Sequence, residues 1–225
     1  MSETPARAAY YPGAQQRYQS LLDEGSSGRV ERLGSGPLDA LPWTLVRDLE
    51  PASNTPLFRS EPFCSILSEV TLAPTDCIEF LETAVAFAND QVWGTLNATL
   101  LAPAELERDA ALSTALEQSV QRLRYGTVGV NVWPAVGYGL GAPPWGGYPG
   151  ATLLDVQSGL GWSHNSLLLE RFEKVVLRGS LRPLLAPIWE PNNPHLAEIG
   201  AALARQEAAP GVGGVLRAAW AALRP

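Results

Sequence analysis

Long apolar runs, histidine clusters, paired cysteines and stretches of positive charge are all missing from this sequence. Each absence excludes a class of protein. No apolar run approaches the roughly twenty residues that span a bilayer, so no membrane partner is expected. The two histidines, His164 and His195, lie far from each other and from the cysteines, which leaves no metal-ligand spacing and predicts no metal site. Cys64 and Cys77 are separated by a strand-like segment and a turn, and they form no disulfide framework. They read as two buried small hydrophobes in a reducing compartment. With 16 Lys and Arg against 23 Asp and Glu, the formal net charge is −7, which gives no electrostatic reason to bind nucleic acid. The first residues, MSETPARAAYYPG, carry no apolar core of a secretory leader. The chain is therefore expected to be soluble and cytoplasmic. Neither a Gly-Lys-Ser/Thr phosphate loop nor a fixed-period repeat occurs.

Hydrophobic residues make up 46% and charged residues 17% of the 225 positions, which predicts a globular chain with enough core for one large or two small domains. Frequent Gly and Pro predict many turns. Residues 57–98 organise the rest: a strand over 63–72, a helix opened by Thr75 or Asp76 with Glu79 placed for a capping box, then a small-residue strand over 94–101. Within 63–72 the set Cys64, Ile66, Ser68, Val70 and Leu72 is the more apolar and is expected to face a core. The helix repeats Ile78, Leu81, Val85 and Ala88. A second helix is predicted over 103–125, with Gly126 as its left-handed cap, followed by a strand over 127–133. Such alternation predicts an α/β fold with an open, mostly parallel sheet flanked by helices.

Upstream, residues 13–24 place Tyr18, Leu21 and Leu22 on one helical face, 25–42 reads as mostly loop, 43–49 as a strand and 50–60 as loop. Downstream, 134–161 is a long glycine-rich loop, 166–177 a strand or strand pair, and 183–194 a proline-rich extended piece. Two alanine-rich helices at 195–208 and 215–223, joined by a glycine hinge, close the chain. Three parts follow: an N-terminal arm, helix and loop (1–42), a central lobe (43–180), and a proline-rich segment with C-terminal helices (181–225).

Gly137-Tyr138-Gly139-Leu140-Gly141-Ala142 fits a dinucleotide fingerprint in letters only, because Pro143-Pro144 follows where a long helix should begin. Glu61 beside Phe63 reads either as a surface carboxylate next to a core aromatic or as a carboxylate that accepts ligand hydroxyls beside an aromatic wall. Asn97 and Asn131 sit within apolar strands and are read as structural links to neighbouring loops. Cys64 has no histidine near it in sequence and is read as packing rather than as a nucleophile.

Four blocks in order carry a resemblance: Glu61-Pro62-Phe63; Phe87-Ala88-Asn89-Asp90, with Trp93-Gly94-Thr95-Leu96-Asn97-Ala98; Tyr125-Gly126-Thr127-Val128-Gly129-Val130-Asn131; and Pro144-Trp145-Gly146-Gly147-Tyr148-Pro149-Gly150. Together with Glu173-Lys174-Val175-Val176, they resemble the C-terminal part of the catalytic domain of aldehyde dehydrogenases, over residues 43–177. The resemblance implies NAD or NADP as cofactor, with Glu61 holding ribose hydroxyls and Phe63 lining the nicotinamide pocket. The family has Gly-Pro after its Glu-x-Phe, where this chain has Cys64-Ser65. The family's chemistry also needs a cysteine nucleophile and a glutamate base, both well upstream of Glu-x-Phe. No cysteine occurs in the 60 residues before Glu61, and Cys64 is not its equivalent, so no catalytic residue is assigned. Two expectations follow. One is an oxidoreductase piece, inactive alone, whose partner is a separate chain supplying the cofactor domain and thiol. The other is a non-catalytic structural or binding relic that exposes apolar surface and forms a homo-oligomer.

Overall fold

Amphipathic spacing sets the first helix. In the computed structural model, which describes residues 6, 8–25, 28–34, 40–165, 167–182 and 195–223, α1 spans Ala14–Glu24 and buries Tyr18, Leu21 and Leu22. That face packs on β2 (Trp43–Leu49), whose Val46 and Leu49 share a core with Phe58 and Ile66. β2 is flanked by β1 (Arg29–Leu33), antiparallel, and by β3 (Ile66–Val70), parallel. β1 lies within the stretch expected to be mostly loop. A second missed element, α2 (Pro56–Arg59), is one turn with Pro at its first position and the Thr55 hydroxyl accepting from the Leu57 N–H.

α3 (Cys77–Asp90) forms where its cap predicts. The Asp76 carboxylate accepts from the Ile78 and Glu79 N–H groups. Glu79 reaches back to Thr75, accepting from its N–H at 2.7 Å and its hydroxyl at 2.5 Å. Those bonds hold the Glu79 carboxyl below its ordinary pKa, against a smaller opposing push from Asp76. The folded value therefore lies below the unfolded one, about 4.3. The contribution is complete above that value and is lost as pH falls through the folded pKa. The Thr75 amide, which donates to the Glu79 carboxylate, is expected to show an acid-side NMR transition below the ordinary glutamate range that Glu79→Gln abolishes. A transition unchanged in that variant would refute the assignment.

β4 (Asn97–Leu100), β5 (Thr127–Val130) and β8 (Val175–Arg178) make a second, all-parallel sheet with β5 in the middle. All four residues of β5 are buried, as its apolar character predicts, but the strand expected to run to 133 ends at Val130 and Trp133 is 55% exposed. The sheet's core comprises Val85, Leu106, Leu116, Val120, Leu123, Val128 and Val130. Each large aliphatic buried there contributes about 1.5–3 kcal/mol relative to exposure. α3 serves both cores, with Val85 in this one and Phe87 against the other, edge-on to Phe58 at 5.3 Å between ring centroids.

The expected single open sheet is thus corrected. β3 pairs with β2 rather than with β4, because Ile66 belongs to the α1–β2 core. The long second helix is also corrected to α4 (Ala104–Arg108) and α5 (Ala110–Arg122), divided where the Asp109 carboxylate caps α5. Nor is Gly126 a left-handed cap. α5 ends at an extended Leu123, and the Lys174 ammonium donates to the carbonyls of Val120, Gln121 and Leu123 at 3.3, 2.6 and 2.5 Å. A cation at this end complements the helix dipole. Burial pushes the Lys174 pKa down, with Glu173 opposing.

Between β5 and β8 lie α6 (Val136–Leu140) and a two-stranded antiparallel ribbon of β6 (Trp145–Gly146) and β7 (Trp162–Ser163). The strand expected over 166–177 is confined to β8. The contacts divide the chain after Leu181. The later unit holds α7 (Leu196–Ala208) and α8 (Val212–Leu223), and the residues read as a glycine hinge lie in and beside the start of α8. The proline-rich 183–194 falls outside the described residues. Among those described, no helix is long and apolar enough to cross a membrane, and no group of His, Cys, Asp and Glu is placed to hold a metal ion.

Candidate functional site

The loop carrying Glu61 and Phe63 is held at both ends. On its C-terminal side the Thr44 N–H donates to the Ser65 carbonyl at 2.8 Å, and the Ser65 hydroxyl donates to the Pro42 carbonyl at 2.8 Å. Thr44 is fully buried and its hydroxyl bonds the Tyr18 hydroxyl at 2.6 Å, which ties α1 to the same point. From α1, the Arg17 Nε donates to the Pro62 carbonyl at 2.9 Å. Between these ties Phe63 adopts φ +44, a left-handed conformation that disfavours a bulky residue. Backbone in this region persists where its surroundings over-determine it, as the three ties do here.

Phe63 is 45% exposed and Glu61 is exposed. Both line a cleft of about 350 Å³ with Trp43, Cys64, Ser65 and the N-terminal arm. The arm, anchored by a bridge between Ala8 and Ala40, sets Tyr11 edge-on to Phe63 at 5.2 Å and Tyr10 edge-on to Tyr11 at 5.2 Å. The open alternative for Glu61 and Phe63 is thereby narrowed: Phe63 is not a core aromatic. Sequence reasoning missed the tyrosines because 52 positions separate Tyr11 from Phe63 along the chain.

Burial pushes the Cys64 thiol above its ordinary pKa, while Arg17 pulls it down. A raised thiol pKa is the opposite of what a nucleophile needs. Cys77, expected to be buried, is exposed at the start of α3.

The glycine-rich 137–142 does contain a helix, contrary to the sequence reading, but one of five residues. Gly141 lies at its C-terminal end with φ +66. The glycines therefore do not open a long helix toward a phosphate, and no fingerprint is formed.

Asn131 is a structural link: its side-chain amide exchanges two bonds of 2.8 Å with the backbone N–H and carbonyl of Ala102. Asn97 is exposed on β4 and does not face a buried partner as expected. The Phe87-Ala88-Asn89-Asp90 block gains a reason as well. Asn89 accepts from the Arg124 N–H at 2.8 Å and donates to the Arg122 carbonyl at 2.9 Å, joining the end of α3 to the end of α5. A smaller cleft of about 180 Å³ lies beside it, lined in part by Arg59, Trp93, Arg124 and Gln157.

The class defined by these elements is mixed α/β, with small sheets of which one is wholly parallel. No protein-family model matches the chain, and no curated protein matches it. Among solved structures it is similar to a "Putative Aldehyde Dehydrogenase from Burkholderia cenocepacia", at 23% identity and a TM-score of 0.43. The match covers 61% of this chain and 26% of that one, so the aligned part is about a quarter of that structure's length.

Proposed function

We propose that residues 43–180 are the downstream lobe of an aldehyde-dehydrogenase-like oxidoreductase fold. In this reading Glu61 and Phe63 form one edge of the pocket for the ribose and nicotinamide of NAD or NADP. The observation that carries it is the placement of Glu61 and Phe63 together at an open cleft, within a chain whose four motif blocks run in the family's order. The donor set fits the group. A carboxylate is acceptor-only and suits ribose hydroxyls, and a half-exposed phenyl ring suits a flat ring. When bound, the cofactor supplies a two-electron oxidant. This chain's share is to orient and to wall off water; Cys64 is not an activated thiol, since burial raises its pKa. The thiol and the dinucleotide-binding domain come from outside these 225 residues, and positioning from both sides is what makes the site competent. Apolar surface supports a partner: Leu153, Leu154, Leu167 and Leu168 are 85, 100, 99 and 74% exposed.

The test mixes the purified chain with a polypeptide carrying the cofactor domain and thiol, plus aldehyde and NAD or NADP. Reduced nicotinamide is expected from the mixture and from neither component alone. In the mixture, NAD is expected to slow amide exchange at Glu61 and Phe63. Turnover by this chain alone, or cofactor-bound protection confined to other residues, would overturn the reading.

A further inference from the structure

The cleft over Phe63 has a character of its own. Tyr10, Tyr11, Trp43 and Phe63 supply aromatic wall, and among the described residues the charged one in its lining is Glu61. The rings of Tyr10, Tyr11 and Phe63 form a continuous edge-to-face series. The Arg17 guanidinium donates to the carbonyls of Pro62 and Pro12, and its charge acts on Cys64. Aromatic faces attract cations through the ring quadrupole, most strongly those with a weakly hydrated, apolar shell. A neighbouring carboxylate adds a complementary charge, and the protein's net charge of −7 has the same sign. At about 350 Å³ the space suits a small ligand.

We infer that this cleft, completed by the N-terminal arm, binds a methylated ammonium ion, with Tyr11 and Phe63 as its aromatic wall and Glu61 as its counter-charge. The inference uses the same Glu61 and Phe63 as the cofactor reading, but it is argued from the lining of the cleft and not from that reading. Its occupant is a quaternary ammonium group carried by a small molecule. Tyr11 contributes from a segment remote in sequence, so residues 8–11 are a part of the site.

The probes are choline and 3,3-dimethyl-1-butanol, which share a shape and differ in charge. Binding to the whole chain is read by calorimetry and by ligand-observed NMR. Choline is expected to bind about tenfold tighter than the neutral alcohol, the order given by a cation–aromatic contact with a carboxylate beside it. Glu61→Gln is expected to shrink that ratio severalfold, and Tyr11→Leu, at a half-exposed position, to weaken choline more than the alcohol. Circular dichroism confirms that both variants fold. Equal affinity for the two probes, absence of binding to the folded protein, or a ratio untouched by both variants would overturn the inference. Because the complementation experiment reads reduced cofactor instead, either proposal can fail alone.

Discussion

Gly126→Ala is expected to lose at least about 3 kcal/mol of stability, a large share of a total in the ordinary range of about 5–15 kcal/mol. A Cβ there would sit 1.8 Å from the Gly146 carbonyl oxygen and 2.9 Å from its carbon. Neither is the flexible end of a side chain. Gly126 is also fixed in place, its N–H donating to Thr95 and its carbonyl accepting from Val175, each at 2.8 Å. Thr95 in turn accepts from Tyr148 at 3.0 Å, so moving Gly126 disturbs the edge of the parallel sheet and the 146–148 segment together. Overpacking is relieved only by shifting backbone, and here two backbones would shift. Urea unfolding followed by circular dichroism is the measurement. Gly139→Ala is the control: no atom lies within 4 Å of its added Cβ, and a change within about 0.5 kcal/mol is expected. A folded Gly126→Ala with a wild-type midpoint would show that the 146–148 segment does not lie against this strand.

Asn131→Ala is expected to cost about 2–4 kcal/mol. Two bonds of 2.8 Å vanish, and they leave unpartnered the N–H and carbonyl of Ala102, which is 2% exposed. An orphaned buried polar group costs about 1–3 kcal/mol. Asn131 also sits at φ +57, where Asn is tolerated better than Ala. Asn131→Gly removes the same two bonds but tolerates φ +57, so most of the loss should remain. A Gly variant within about 0.5 kcal/mol of the wild type in the same unfolding experiment would remove the Ala102 bridge as the cause.

Both positions lie in the block Tyr125-Gly126-Thr127-Val128-Gly129-Val130-Asn131, which was legible in the sequence as a motif but not as a mechanism. The apolar run 127–130 marks a buried strand because burial on both faces removes the need for alternation. Nothing local says that Gly126 meets a carbonyl twenty residues on, or that Asn131 reaches back to Ala102. Gly126 instead invited a helix-cap reading, since a glycine near a helix end is the usual signature of one. The true neutraliser of those carbonyls, Lys174, lies 51 positions beyond Leu123.

By itself the sequence determined what short-range periodicity and capping chemistry decide: the buried face of α1, Leu81 and Val85 on that of α3, a cap at Thr75 or Asp76, the strand character of 43–49 and of the first part of 127–133, and Glu61 and Phe63 as a pair to watch. These depend on residues within a few positions of one another, where helix and strand geometry leaves little choice. Only the tertiary structure decided that the strands divide between separate sheets, that α3 serves two cores, and that Tyr10 and Tyr11 come to stand against Phe63. Each of those outcomes joins segments distant along the chain, and which distant segments meet is set by how whole apolar faces find area to bury, not by any local signal.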